Sequence, residues 1–215
     1  MCGFETIVRG TSHWCDVFTK DEFLSFEYAR DLVHYYRAGP GTPWGALMGW
    51  LWLNATTNLL LEGLTAGPFF FSLWVTYAIF LDYSADLSSV HDGDITPMLT
   101  ALDVFPDAEH LPVRHRAENR KWKQSQVAPM SGRVIFELLS CGAIRGAAVG
   151  AAKYVRININ DGIVALPGCE SGPGKSCPLL EFQARIKQKG EAVGDFRSQC
   201  GASHDSPERI TFLRQ

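Results

Sequence analysis

The chain is predicted to fold as an α/β protein in which helices and strands share one hydrophobic core. Two segments in its first third repeat apolar residues at helical spacing, and two segments in its second half alternate apolar and polar residues as half-buried strands do. Its 215 residues suffice for a single domain with a sizeable core or for part of a larger one. This mixture of elements predicts an α/β or α+β fold.

Two helices are predicted in the first third of the chain. Thr19-Lys20-Asp21-Glu22 has the form of a capping box, and Gly39-Pro40-Gly41 ends the helix that follows it. Thr42-Pro43 begins a second helix, which we expect to end at Gly63. Both apolar stripes are predicted to face the core: Phe23, Phe26, Ala29, Val33 and Tyr36 in the first helix, and Trp44, Leu47, Met48, Leu51, Ala55 and Leu59 in the second.

The middle of the chain contains three weaker predictions. Phe69 to Phe71 follows Gly67-Pro68 and is predicted to form a buried strand. A third helix is predicted from Thr96-Pro97 to Leu102, and residues 106–128 are predicted to form a long loop because they have no regular period.

A hairpin and a final helix are predicted near the C-terminus. Arg133 to Leu139 alternates as a strand, with Val134, Phe136 and Leu138 on one face. Tyr154 to Ile159 also alternates, and Asn160-Asp161-Gly162 predicts a tight turn into Ile163 to Leu166. Pro178 is predicted to open a helix whose apolar residues are Leu179, Phe182 and Ile186.

The charge distribution gives no reason to expect a nucleic-acid or membrane partner. The formal net charge is −3, and the one concentration of basic residues is expected to be a solvated loop: Arg114, Arg116, Arg120, Lys121 and Lys123. The most apolar window, Phe69 to Leu81, is shorter than the roughly 20 residues that cross a bilayer. A membrane-attached protein that uses Leu73 to Leu81 is therefore disfavoured.

The six cysteines indicate disulfide bonds and an oxidising compartment. None forms a Cys-x-x-Cys pair or a zinc-type spacing, so no metal is expected. Asn54-Ala55-Thr56 is a glycosylation sequon, which agrees with secretion. Met1, however, is followed directly by Cys2 and Gly3 without a signal peptide, and we expect the chain to be a fragment without its own N-terminal part.

His91-Asp92 is the most informative motif of the chain. The imidazole of His91 could bind a phosphate oxygen, and the carboxyl of Asp92 could hand a proton to a departing alcohol. A helix start follows at Gly93-Asp94-Ile95-Thr96-Pro97, where the helix dipole favours an anion.

Several sequence blocks, taken in order, resemble the C-terminal half of a histidine acid phosphatase, in the branch that contains fungal phytases and acid phosphatases. The likeness covers most of the chain, so residues 1–215 are interpreted as a partial domain of that fold, a mixed sheet flanked by helices. The blocks are Cys2-Gly3-Phe4-Glu5, Cys15 to Glu22, Asp31 to Tyr36 with Ala38-Gly39-Pro40-Gly41, His91-Asp92, Val127 to Glu137, Tyr154-Val155-Arg156 with Asn160-Asp161-Gly162, and Cys169 to Pro178.

The resemblance implies a reaction and a role for each motif residue. In the family, the histidine of an Arg-His-Gly-x-Arg-x-Pro motif attacks phosphorus and forms a phosphohistidine, which water hydrolyses. By this resemblance His91 is a phosphate ligand and Asp92 is the general acid. The substrate would be a small phosphorylated molecule, either a general phosphomonoester or inositol hexakisphosphate, and no cofactor is implied. The family's cysteine pattern implies the disulfides Cys2–Cys15 and Cys169–Cys177 and leaves Cys141 and Cys200 unpaired here.

Two departures from the family pattern stand out. No Arg-His-Gly occurs in the 215 residues, and His115, in the only Arg-His pair, is interpreted as a loop residue, so the chain alone is not expected to turn over. In the family, the strand before the motif leads almost directly into His-Asp. Here Leu73 to Ser89 intervene and are predicted to be an insertion.

Two function classes therefore compete. The first is a secreted acid phosphomonoesterase of the phytase type, and the second is a non-catalytic secreted module that keeps the fold. An upstream Arg-His-Gly-x-Arg-x-Pro would favour the first. Glu137 is interpreted as structural, and the remaining histidines receive no role: His13, His34, His110 and His204.

Overall fold

The computed structural model describes residues 2–62, 71–74, 86–89, 91–141 and 152–209. Its helices are α1 (Cys2–Arg9), α2 (Lys20–Arg37), α3 (Pro43–Glu62), α4 (Asp92–Ala101), α5 (Gln124–Val127), α6 (Leu179–Val193) and α7 (Phe196–Cys200). Its strands are β1 (Phe71–Trp74), β2 (Asp86–Ser89), β3 (Arg133–Cys141), β4 (Ala152–Ile159), β5 (Gly162–Val164) and β6 (Cys177–Pro178).

The strands form one mixed sheet in the order β2-β1-β3-β4-β5, with β6 added to β4. Strands β1 and β2 are parallel, whereas β3 pairs antiparallel with both β1 and β4. The inner face of the β3–β4 pair sets Val134 opposite Ile159 and Phe136 opposite Ile157. All four side chains are buried, which confirms the alternation that the sequence predicted.

The predicted hairpin and final helix are both present. Asn160 and Asp161 connect β4 to β5 with φ angles of 50° and 68°, the left-handed pair that a tight two-residue hairpin loop requires. Helix α6 buries Leu179, Phe182 and Ile186 as predicted. Phe182 lies on Phe136 of β3, with ring centroids 6.3 Å apart, and so fixes this helix against the sheet.

The capping box of α2 is present as predicted, but the prediction of its buried face was wrong. Phe26 is 66% exposed and Val33 is 47% exposed, and Phe23 and Tyr36 are also exposed. The helix instead buries Tyr28, Asp31, His34 and Tyr35. This face can be buried because Tyr28, Asp31 and Tyr35 form hydrogen bonds with residues 110–124, which a periodicity of apolar residues cannot reveal.

Part of the basic run is also buried, which corrects its interpretation as a solvated loop. The Arg120 side chain is 3% exposed, and its Nε donates to Asp31 Oδ2 at 2.5 Å. A second donation reaches Glu27 Oε2 at 2.9 Å. Arg116 lies nearer the surface and pairs with Asp21 and Glu118. The two carboxylates around Arg120 offset the cost of burying its charge.

Helix α3 is buried around much of its circumference because it lies between α4 and α6. Leu47, Leu51 and Leu59 of the predicted stripe are buried, whereas Trp44 and Met48 are exposed. It lies close to α4 at Gly49, where an added Cβ would lie 1.9 Å from the carbonyl oxygen of Pro97. The contact therefore requires glycine.

Helix α4 begins at Asp92, earlier than the predicted start at Thr96-Pro97. The backbone N–H of His91 donates to Asp94 Oδ2 at 3.0 Å, and this capping interaction stabilises a turn that precedes the proline. Pro97 therefore lies inside the helix, although the sequence suggested that it marked the start.

Several sequence predictions fall wholly or partly on residues outside the described ranges. These are the end of the second helix at Gly63, the strand residues Phe69 and Phe70, and positions 75–85 of the predicted insertion. The ends of that insertion, Leu73-Trp74 and Asp86–Ser89, lie in the paired strands β1 and β2. Among the described residues, no helix has both the length and the apolar character needed to span a membrane.

Candidate active site

The first turn of α4 carries the two predicted site residues. His91 is the N-cap residue of the helix, with extended backbone angles, and its side chain is exposed. Asp92 is the first helical residue, and its side chain is 47% exposed. Both side chains therefore lie at the protein surface, at the positive end of a ten-residue helix.

The structure adds His34 of α2 to this pair. His34 Nε2 lies 3.6 Å from Asp92 Oδ2, within ion-pair distance, and the ring is almost fully buried. The guanidinium of Arg30, one turn earlier on α2, lies with Nη2 at 3.0 Å from the same ring nitrogen. Because arginine can only donate, Nε2 accepts this hydrogen bond and the neutral ring carries its proton on Nδ1.

The surroundings of His34 disfavour its protonated form. Burial is the largest cause that lowers the pKa of His34 below its ordinary value, and the charges of Arg30 and Arg37 lower it further. Asp92 is the main opposing influence and raises the pKa, with a smaller contribution from Asp31. The ring therefore takes up its second proton at a lower pH than an ordinary histidine, although the Asp92 carboxyl opposes this effect.

A buried polar network connects α2 to α4 behind the site. Asp31 Oδ1 accepts from the backbone N–H of Gln124 at 2.7 Å. The side-chain amide of Gln124 in turn donates to Thr96 Oγ1 of α4 at 3.2 Å. Burial raises the pKa of Asp31, whereas the Gln124 N–H and Arg120 lower it. The network sets the spacing of the two helices, and with it the separation of His34 from Asp92.

The arrangement can bind an anion and transfer a proton. The exposed imidazole of His91 can donate to a phosphate oxygen. The carboxyl of Asp92, which is 47% exposed, can approach the ester oxygen of a bound substrate. The described residues contain no cluster of three metal-ligating side chains.

The other predicted site residues lie apart from this turn. Disulfides join Cys2 to Cys15 and Cys169 to Cys177, which are the two pairings that the resemblance implied. Cys141 and Cys200 are free and exposed. His115 is an exposed loop residue.

The predicted glycosylation site lies in the interior of α3. Asn54 is half-buried and lines a groove of about 920 Å³ beside α6. Thr56 of the sequon is buried, and its hydroxyl donates to the Trp52 carbonyl. Glycosylation of Asn54 stays a prediction.

Sequence reasoning missed His34 and Arg30. The available signal was their spacing of four residues, which places two basic groups on one helix face. A second signal was the 28, 31, 35 spacing of Tyr28, Asp31 and Tyr35, which marks an alternative buried stripe. The stripe that contains Phe23 and Phe26 was predicted to be the buried face instead, although both side chains are exposed.

Comparison with known proteins agrees with this architecture. Residues 1–160 match the profile of the histidine phosphatase superfamily (branch 2). The chain is 35% identical over 215 residues to acid phosphatase PHO1 of Komagataella pastoris, covering 99% of this chain and 42% of the relative. It is 32% identical to phytase PHO112 of Candida albicans, covering 98% of this chain and 40% of the relative.

Solved structures give the same result. The phytase from D. castellii superposes with a TM-score of 0.75 at 28% identity, over 98% of this chain and 40% of that protein. A multiple inositol polyphosphate phosphatase from Bifidobacterium longum shares the fold, with a TM-score of 0.58 at 15% identity over 88% of this chain and 35% of that protein. The chain thus spans about two fifths of the length of the curated relatives. The profile match over most of the sequence shows that the chain belongs to branch 2 of the histidine phosphatase superfamily.

Proposed function

We propose that the protein is an acid phosphomonoesterase that works through a phosphohistidine, to which this chain contributes His91 as phosphate ligand and Asp92 as general acid. The observation that carries the proposal is the position of both side chains at the exposed N-terminus of α4 in a member of this family. The imidazole and the helix dipole favour a bound phosphate anion. The Asp92 carboxyl protonates the ester oxygen as the P–O bond breaks, so that an alcohol leaves in place of an alkoxide.

The attacking histidine lies outside the 215 residues in this proposal. No Arg-His-Gly occurs in the sequence, and His115, in the only Arg-His pair, lies on an exposed loop. We expect the chain alone to bind phosphate without hydrolysing esters. The substrates are phosphate monoesters, with inositol phosphates among them, since acid phosphatases and a phytase are among the relatives.

The two disulfides support a secreted, oxidising location.

The alternative of a non-catalytic module rests on the absence of a nucleophile motif from these 215 residues. This alternative predicts a stable fold that does not bind phosphate at His91. It also predicts that phosphate esters are not hydrolysed after a nucleophile segment is supplied.

The binding part of the proposal is tested by titrating the 215-residue chain with inorganic phosphate at acidic pH, with the histidine ring resonances recorded by NMR. We expect the His91 resonances to shift and His91→Ala to weaken phosphate binding about tenfold or more, because a charge-assisted hydrogen bond contributes about 1.5–3 kcal/mol. His115→Ala is the matched control, because it removes an exposed imidazole from a loop. Equal phosphate affinity in wild type and His91→Ala would refute the assignment, and ester hydrolysis by the chain alone would refute an external nucleophile.

A further inference from the structure

The carboxyl of Asp92 has one described neighbour that can fix its orientation. Among the described residues, His34 is the only group within ion-pair distance of Asp92, at 3.6 Å. The two partners differ in freedom, because the side chain of His34 is 8% exposed and that of Asp92 is 47% exposed. A packed ring keeps one position, whereas a half-exposed carboxyl on the first turn of a helix rotates unless it is held.

His34 is itself held in place by Arg30 and by packing. Its ring nitrogen Nε2 accepts from Arg30 Nη2 at 3.0 Å, and the packing of α2 buries the ring. The nitrogen that Arg30 holds is the one that faces Asp92 Oδ2. The position of the ring therefore determines which carboxyl oxygen is engaged.

We propose that His34 is a positioning residue for Asp92: its buried imidazole engages Oδ2 and leaves Oδ1 directed toward the ester oxygen of a bound phosphate monoester. This inference rests on the proposed function for the identity of the acid, and it adds a residue that belongs to neither the His-Asp motif nor the nucleophile motif. When Asp92 is protonated, its O–H can donate to the Nε2 lone pair in place of Arg30, because that nitrogen has only one lone pair. When Asp92 has given its proton to the leaving group, a proton taken up at Nε2 from solvent would turn the contact into an ion pair, again with Arg30 displaced from that nitrogen.

The charged groups that act on His34 come from two elements. Arg30, Asp31 and Arg37 lie on α2, and Asp92 lies on α4. Of the two carboxylates, Asp92 has the larger effect on the ring. Removal of its charge is therefore a specific perturbation of His34.

The contact is tested without substrate by NMR titration of the His34 ring in the 215-residue chain. In Asp92→Asn, we expect the His34 titration midpoint to move to lower pH, since the opposing carboxylate charge is gone while burial and both arginines remain. The control is Asp103→Asn, which removes a carboxylate just beyond the other end of α4, where Asp103 pairs with Lys189. An unchanged midpoint in Asp92→Asn, or an equal change in Asp103→Asn, would overturn the proposal.

The functional part is tested in a protein that carries both this chain and a nucleophile segment. We expect His34→Asn to lower kcat with little change in KM and to alter the pH profile of kcat, because the variant leaves phosphate binding at His91 intact. A loss confined to KM, or an unchanged kcat and pH profile, would contradict positioning of the acid.

The two tests separate this inference from the function on which it rests. If the His34 midpoint moves in Asp92→Asn while phosphate fails to bind at His91, the contact is real and the phosphatase assignment fails. If phosphate binds and the midpoint does not move, the positioning role fails alone.

Discussion

At the residue scale, the buried charge of Arg120 is held by two carboxylates. Asp31 is fully buried and Glu27 is partly exposed, and both accept from the same guanidinium. Removal of the arginine would leave Asp31 as a buried charge without its ion-pair partner. Such losses are more costly than the loss of a surface ion pair.

We therefore expect Arg120→Ala to lower the free energy of unfolding by about 3–5 kcal/mol, measured by urea denaturation at neutral pH. Arg116→Ala is the matched control, since Arg116 forms its ion pairs with the exposed side chains of Asp21 and Glu118. Its effect should be much smaller. A similar loss in both variants would show that the Arg120 network does not stabilise the core.

The burial of His34 predicts a pH dependence of stability. Its folded pKa lies below its ordinary value, so the unfolded chain binds the proton first as pH falls. His34 therefore does not lower the free energy of unfolding above about pH 6.5. As the pH falls from about 6.5 toward the folded pKa of His34, the free energy of unfolding decreases.

His34→Gln should remove that component, because glutamine does not titrate. Between about pH 7.5 and about pH 5, urea midpoints should fall further for wild type than for the variant. A larger fall in the variant would mean that the folded state stabilises the charged ring.

At the element scale, the hairpin and the position of α2 illustrate what the sequence predicts well and what it does not. Asn160-Asp161 predicts its turn correctly because the required left-handed backbone angles are a local property. The buried face of α2 was predicted wrongly because it depends on distant partners, Gln124 and Arg120, which satisfy Asp31. The start of α4 was missed because the capping carboxylate of Asp94 outweighs the signal from Pro97.

The crossing of α3 and α4 positions the first turn of α4. At Gly49, a Cβ would meet the carbonyl carbon of Pro97 at 2.3 Å, so Gly49→Ala must push the helices apart. We expect a loss of about 1–3 kcal/mol in the free energy of unfolding, as for other overpacked cores.

Gly93→Ala tests the same helix without a clash, because nothing lies within 4 Å of an added Cβ there. The thermal unfolding midpoint of Gly93→Ala should equal or exceed that of wild type, since alanine favours helix more than glycine does. Equal destabilisation by Gly49→Ala and Gly93→Ala would contradict a close α3–α4 contact.

At the scale of the whole molecule, the sequence predicted the family correctly, because short motifs in order carry it. The roles of His91 and Asp92 stay a prediction. The sequence did not predict His34 as a neighbour of Asp92, because that contact joins two helices far apart in the chain. The chain spans about two fifths of the length of its curated relatives. Apolar side chains such as those of Phe26 and Ile7 are exposed in it.

The cysteines give a further prediction at this scale. Alkylation of the native chain followed by mass spectrometry should label two thiols, since Cys141 and Cys200 are free and exposed. Cys141→Ser should reduce the label to one. Absence of label in the native chain, with all six thiols labelled after reduction, would show that these two cysteines are paired.

In the proposed reaction, Asp92 protonates the leaving group of a phosphate ester. This role is tested by replacing the aligned part of the Komagataella pastoris acid phosphatase with this chain and comparing two substrates. In Asp92→Asn, kcat should fall about 10²–10⁴-fold for glycerol 2-phosphate, whose alkoxide needs a proton, and far less for p-nitrophenyl phosphate, whose phenolate leaves readily. The control Asp103→Asn should match the parent protein on both substrates. Equal losses on the two substrates, or no loss on either, would contradict the assignment of Asp92 as general acid.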